Sequence, residues 1–117
     1  WRDAHSIRVN LELPEFIPTL PDEDNTHIYR IVQESLNNIA QHASADSVDI
    51  RLAVGPNNLI LKISDNGTGK QQSFSAGFGL RSMEERARCM KGELSFTQAS
   101  DSGSTVLLNV PVREEVV

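Results

Sequence analysis

The chain has 117 residues, the size of one domain with a single hydrophobic core, so a two-domain enzyme with a cleft between its domains is not expected. Its 11 Lys and Arg against 16 Asp and Glu give a net charge of −5 without a basic stripe, which argues against nucleic acid as a partner. The single cysteine, Cys89, allows no internal disulfide, and no Cys or His residues have zinc-ligand spacing, so a reducing, cytoplasmic setting is favoured.

The first part of the chain predicts a strand followed by a long helix. Apolar and polar residues alternate over residues 7–13, the pattern of a half-buried strand, which Pro14 ends. From Ile28 onward the apolar residues have helical spacing, and several N-capping residues precede them. We therefore expect a helix that begins near residues 23–26 and runs to about Ala43.

The rest of the chain predicts a hairpin, a loop rich in glycine, a second helix and two final strands. In chain order these are strands at 48–54 and 59–63, the loop at 67–79, a helix from Leu80 to Met90 with Gly92 as its C-cap, and strands at 93–97 and 105–112. Because the strands after the first helix are adjacent in pairs, the order favours a mixed sheet with helices on one face. The expected fold is therefore an α/β (α+β) two-layer sandwich rather than a doubly wound parallel sheet.

The first predicted helix carries a polar stripe beside its apolar one. Glu34, Asn38 and His42 follow one another at intervals of four residues, so they project along nearly one line. The amide oxygen of Asn38 suits a Mg²⁺ ion whose other ligands are phosphate oxygens and water, and Glu34 could orient a water molecule. The alternative is an ordinary solvated helix face.

Two glycine-containing segments could recognise a ligand. Asp65 ends an apolar strand, where its carboxylate could accept a hydrogen bond from an amine such as that of adenine, while Gly67 and Gly69 allow close approach of a planar ring. Gly77 and Gly79 precede the second helix, whose N–H groups and dipole favour an anion. A plain turn and a plain loop end are the alternatives, and neither a Walker loop nor a Rossmann fingerprint is present.

A hydroxyl near the end of the chain completes the candidate site. Thr105 opens the final strand and could hydrogen-bond the carboxylate of Asp65, or a bridging water, if the two strands are neighbours. A simple hairpin turn is the alternative.

In this order, the segments resemble the Bergerat-type ATPase fold of the GHKL superfamily, and specifically the catalytic and ATP-binding domain of two-component sensor histidine kinases. Residues 31–43 resemble the N box of that family, and residues 65–69 its first glycine box. Residues 77–80 resemble the second glycine box, and Thr105, after Gly103, matches the final threonine. Residues 79–86 are similar to the subgroup of nitrate-sensing and membrane-fluidity-sensing kinases.

The resemblance implies a role for each residue of these boxes. Asn38 would ligate Mg²⁺, Glu34 would support the metal or a water, Asp65 would read the adenine amine, and His42 would lie near the phosphates. The remaining positions line the base pocket (Gly67, Gly69 and Thr105) or hold the phosphates (Gly77, Gly79 and Leu80). The implied activity is transfer of the γ-phosphoryl group of ATP to a histidine on a separate dimerisation domain of the same kinase, with a response regulator as the further partner.

The chain departs from the family pattern in two respects. Gln41 replaces a cation that often precedes the last histidine of the N box, which leaves a degenerate docking module as an alternative. Neither His5 nor His42 has the context of a phosphoacceptor. Two further alternatives share the fold: an anti-sigma-type serine kinase and a gyrase-like ATPase.

The chain boundaries fit a piece of a sensor. Residues 1–117 are expected to form one domain with a tail at 113–117, and the start at Trp1 rather than Met indicates a fragment of a longer protein. No apolar run of about 18 residues is present, so no direct membrane contact is expected, although the resemblance implies the cytoplasmic part of a membrane-bound sensor.

Overall fold

Five strands and two helices form the part of the chain that the structure, a computed structural model, describes: residues 7–42, 45–67, 79–98 and 103–112. They are β1 (Arg8–Glu12), α1 (Asp22–His42), β2 (Ser47–Val54), β3 (Asn58–Asp65), α2 (Leu80–Cys89), β4 (Glu93–Gln98) and β5 (Ser104–Pro111). Their order and type confirm the prediction from the sequence.

The five strands form one mixed sheet in the order β1-β2-β3-β5-β4. The edge strand β1 is parallel to β2, while β2, β3, β5 and β4 pair antiparallel. A parallel pair requires a crossover connection, which α1 supplies between β1 and β2. The last residue of β3, Asp65, therefore lies at the same end of the sheet as the first residues of β2 and β5.

The core lies between the helices and one face of the sheet. Strand residues alternate, so that β3 buries Leu61 and Ile63 while Lys62 between them is exposed. The helices contribute Ile31, Leu36, Ile39, Met83 and Ala87 to the same cluster. The other strands contribute Val48, Ile50, Val106, Leu108 and Val110. Each such side chain stabilises the fold by about 1.5–3 kcal/mol on burial. The two-layer sandwich with helices on one face is confirmed.

The two helices pack antiparallel to each other. Ser35 Oγ in the middle of α1 donates to Met83 Sδ in the first half of α2, at 3.4 Å. Arg86 Nη1, farther along α2, donates to His27 Nδ1, near the start of α1, at 3.1 Å. The N-terminus of α2 is therefore directed toward the second half of α1, where the predicted polar stripe lies.

The C-terminus of α2 differs in detail from the prediction. The helix ends in a Schellman motif, in which Gly92 N–H donates to Ala87 O at 2.8 Å and Lys91 N–H to Arg88 O at 2.9 Å. The residue with left-handed backbone is Lys91, with φ of 59°, and the C-cap is Met90, so the assignment of Gly92 as the C-cap was wrong. Gly92 serves another purpose, because a Cβ there would lie 2.5 Å from Asn109 O in β5.

Candidate functional site

The centre of the candidate site is the carboxylate of Asp65, which is 9% exposed at the end of β3. Its Oδ1 accepts a hydrogen bond from Gly67 N–H at 2.7 Å. Its Oδ2 accepts one from Ser104 Oγ at 2.5 Å. A carboxylate has about four acceptor positions, so each oxygen keeps capacity for a further donor while its orientation is fixed.

The hydroxyl that orients Asp65 belongs to Ser104 and not to Thr105. The two strands are neighbours, as the prediction required, but the register pairs Asp65 with Ser104 and Ser64 with Thr105. Thr105 Oγ1 lies 3.1 Å from Ser64 Oγ, on the face of the sheet opposite the helices. The predicted hydrogen bond between Thr105 and Asp65 was therefore wrong, because consecutive residues of a strand project to opposite faces.

Gly103 allows the start of β5 to close against the end of β3. Its backbone has a φ of 73°, and a Cβ there would collide with the carbonyl oxygen of Asp65. Its N–H donates to Gly67 O at 2.8 Å. Gly67 is thus held through its N–H by Asp65 and through its C=O by Gly103. The sequence predicted close approach of a ligand at this position.

The N-terminus of α2 packs directly on the polar stripe of α1. Gly79, the N-cap of α2, has a φ of 86°. A Cβ at this position would lie 2.5 Å from Glu34 Oε2 and 2.9 Å from Glu34 Cγ. The predicted N box and the predicted second glycine box therefore meet at these two residues, and only glycine combines this backbone with this proximity.

The first turn of α2 presents backbone donors. Its first intrahelical bond runs from Met83 N–H to Gly79 O at 3.0 Å, so the N–H groups of residues 80–82 have no partner within the helix. No side-chain hydrogen bond to the Gly79 cap is found among the described residues. These donors and the positive end of the helix dipole suit an anion.

Asn38 lies one turn beyond Glu34, and its side chain is buried at 8% exposure. The helix ends at His42, and Ser47 begins β2 beside the strand that ends with Asp65. Five residue steps span at most about 17 Å, so the end of α1 is restricted to this end of the sheet. The N box and the first glycine box consequently share one end of the sandwich.

Residues 23–114 match the family profile described as histidine kinase-, DNA gyrase B-, and HSP90-like ATPase. The chain belongs to this ATPase family. The match covers the candidate site from α1 to the end of β5, so the resemblance to this ATPase family, inferred from the sequence, is confirmed.

Relatives of this ATPase domain are sensor histidine kinases. The chain is 32% identical over 113 residues to the oxygen sensor histidine kinase NreB of Staphylococcus carnosus, covering 94% of this chain and 33% of the relative. It is 33% identical over 116 residues to the sensor histidine kinase MctS of Rhizobium johnstonii, covering 95% of this chain and 25% of the relative. The chain thus spans a third or less of the length of these relatives.

Solved structures share the fold of this ATPase domain. The blue-light activated histidine kinase of Erythrobacter litoralis EL346 superposes with a TM-score of 0.77 at 25% identity, over 92% of this chain and 36% of that one. The histidine kinase AdeS of Acinetobacter baumannii gives a TM-score of 0.77 at 19% identity, over 94% of this chain and 56% of that one, which supports the fold alone.

The structure brings part of the predicted site of this ATPase domain together. Glu34 contacts Gly79 beside Leu80, and Asp65 contacts Gly67. Gly69, Gly77 and His5 lie outside the described residues, as does the side chain of His42. Sequence reasoning missed Ser104, although counting back in twos from the apolar residues of β5 would have placed it on the face of Asp65. Neither helix of the described part is long and apolar enough to cross a membrane.

Proposed function

We propose that this ATPase domain binds Mg·ATP and presents its γ-phosphoryl group to a histidine on the dimerisation domain of the same sensor kinase, from which a response regulator takes the phosphoryl group. The observation that carries the proposal is the buried carboxylate of Asp65, which Gly67 N–H and Ser104 Oγ hold in place. Membership of an ATPase family supports the choice of ligand.

Asp65 reads the base in this proposal. One carboxylate oxygen accepts a hydrogen bond from the exocyclic amine of adenine, a group that guanine lacks at that position. Ser104 and Gly67 keep the carboxylate in place, so little side-chain freedom is lost when the base binds. Gly67 and Gly69 admit the face of the ring.

The phosphates lie at the N-terminus of α2. The N–H groups that follow Gly79 donate to phosphate oxygens. Gly77, Gly79 and Leu80 hold the phosphates in place. Asn38 and Glu34 offer the hard oxygen donors that Mg²⁺ prefers. Glu34 lies beside Gly79, which fits such an ion next to the phosphates, and Asn38 follows one turn later on α1. When bound, Mg²⁺ would neutralise charge that develops on the transferred group.

The chemistry of the domain itself is positioning. A nitrogen of the acceptor histidine forms a bond to the γ-phosphorus while the bond to the bridging β-phosphate oxygen breaks, and ADP leaves with that electron pair. The chain holds the phosphates in line with the acceptor, and the donors of α2 stabilise negative charge. Glu34, which contacts the N-terminus of α2, supports the metal or a water, and His42 is expected near the phosphates.

Calorimetric titration with Mg·ATP and Mg·GTP tests the proposal. The unaltered chain is expected to prefer ATP, and Asp65→Asn, which replaces a pure acceptor by an amide of equal size, is expected to weaken ATP binding about 10- to 100-fold and to abolish the preference. Asp49→Asn, an exposed aspartate on the opposite face of the sheet, is the matched control. Circular dichroism confirms that each variant is folded.

Absence of binding by the folded, unaltered chain would contradict the proposal. That result would favour the degenerate docking module, for which the exposed Gln41 in the N box is the supporting feature.

A further inference from the structure

Asn66, which follows Asp65, ties the turn of the first glycine box to the start of β2. Its side-chain Oδ1 accepts hydrogen bonds from the N–H groups of Asp46 and Ser47, both at 3.0 Å. Its Nδ2 donates to Asp46 Oδ1 at 2.7 Å, and its own N–H donates to Ser47 O at 3.3 Å. Since one end of the amide faces two donors and the other faces a carboxylate, its orientation is determined.

This set of four hydrogen bonds, the Asn66 clamp, connects three parts of the fold. Asp46 ends the short connection through which the chain returns from α1 to the sheet, and Ser47 begins β2. The carbonyl of Asp46 also accepts from Arg8 N–H at 3.0 Å, which attaches the start of β1. The clamp therefore sets where the turn after β3 lies relative to the starts of β1 and β2.

An ordinary turn would not require asparagine here. Asparagine is common in turns because it tolerates left-handed backbone. Among the non-glycine residues that the structure describes, however, Lys91 alone has a positive φ. Asn66 is therefore used for its side chain, which reaches away from the turn to another segment.

We infer that Asn66 is a positioning residue for nucleotide binding, an inference that rests on the proposed function. Gly67 N–H orients Asp65 Oδ1, and the peptide that carries this N–H begins at Asn66. Loss of the clamp frees that peptide, so the carboxylate loses one of its two fixed donors without any loss of a group that touches the nucleotide.

Three variants test the inference. Asn66→Ala removes the three side-chain hydrogen bonds of the clamp and keeps the backbone one, and Asn66→Asp keeps the acceptor but sets a carboxylate against Asp46. The double variant Asn66→Asp with Asp46→Asn restores a donor and an acceptor in exchanged positions. We expect Asn66→Ala to raise the Kd for Mg·ATP about tenfold, Asn66→Asp to raise it at least as much, and the exchange to return it to within about threefold.

A readout without nucleotide accompanies the titration. The amide resonance of Gly67 in ¹⁵N-resolved NMR spectra reports its hydrogen bond to Asp65, at a temperature where thermal unfolding shows every variant to be folded. Its exchange with solvent, corrected for the changed neighbouring side chain, is expected to become faster in the single variants and to recover in the double variant. A role in stability alone would lower the Tm but leave both the Kd and this corrected exchange rate of the folded chain unchanged.

The matched control is a second Asn–Asp pair of the same sheet. Asn10 Nδ2 donates to Asp49 Oδ1 at 2.9 Å, on the face away from the site. Asn10→Ala, and the exchange Asn10→Asp with Asp49→Asn, are expected to leave the Kd and the Gly67 resonance unchanged.

The outcomes separate this inference from the proposed function. Unaltered ATP binding and an unaltered corrected exchange rate of Gly67 N–H in Asn66→Ala would overturn the inference and leave the function standing. Failure of the unaltered chain to bind ATP would overturn the function and, with it, the role of Asn66 in binding.

Discussion

At the scale of single residues, the site depends on which of two adjacent hydroxyls faces the helices. Ser104 donates to Asp65, whereas Thr105 contacts Ser64 on the other face. Ser104→Ala is therefore expected to raise the Kd for Mg·ATP about tenfold, since it removes a donor to a charged acceptor. Thr105→Val, which keeps the shape of the side chain, is expected to change it less than about twofold. Isothermal calorimetry on both variants provides the comparison, and equal effects would refute the assignment.

The same pair of residues shows why the sequence-based prediction chose the wrong hydroxyl. The family pattern directed attention to a threonine after Gly103, and the chain has two hydroxyl residues there. A shift of one position moves a side chain to the opposite face of a sheet. Counting back in twos from Val110 through Leu108 and Val106, all buried, reaches Ser104 and would have settled the choice.

At the scale of elements, the junction between α1 and α2 depends on Gly79. Gly79→Ala adds a methyl group against Glu34 and places it on left-handed backbone, so we expect a loss of about 2–4 kcal/mol in the free energy of unfolding. In a Glu34→Ala background the atoms that the methyl group meets are gone, and only the backbone cost of about 1–2 kcal/mol remains. Urea unfolding of the four chains gives both values.

These four chains form a double-mutant cycle, and its result can also contradict the contact between Gly79 and Glu34. If Gly79→Ala costs the same with and without the Glu34 side chain, the two residues do not touch, and the contact between the N box and the second glycine box is absent. A difference of more than about 1 kcal/mol supports the contact, because residues in contact show coupling of this size.

The elements and their two-layer arrangement were predictable, but the strand order and the contacts between elements were not. Local periodicity and turn residues predicted each helix and strand to within a few residues, since these signals lie within one segment. The contact between Ser35 and Met83 joins residues 48 apart, and the parallel position of β1 at the edge depends on how α1 crosses the sheet. Such non-local choices leave no periodic signal. The end of α2 shows the opposite case, in which a local rule failed. Glycine usually takes the left-handed position after a helix, but here Lys91 takes it and Gly92 packs against β5.

At the scale of the whole molecule, the polar groups of the candidate site come from the ends of several elements. Asp65 ends β3, Ser104 begins β5 and the N-terminus of α2 lies on Glu34, while the core that fixes these ends occupies the space between helices and sheet. The helices and strands therefore set the positions of these side chains, which favours accurate placement of a nucleotide. In the proposed function the acceptor histidine lies on a separate dimerisation domain.

Because the proposed nucleotide site and the proposed acceptor histidine lie on different domains, the isolated chain provides a test. With Mg·ATP labelled at the γ-phosphate, the chain is expected to bind nucleotide without retaining label and without steady release of phosphate, because no acceptor is held in line. Addition of a histidine-bearing dimerisation segment from a sensor histidine kinase supplies the acceptor, and acid-labile label is expected on that segment. Asp65→Asn in the same assay should reduce the labelling through its weaker binding of ATP. Steady hydrolysis by the chain alone would instead indicate a gyrase-like ATPase, and acid-stable label on an added protein would indicate a serine kinase, since phosphoserine survives acid and phosphohistidine does not.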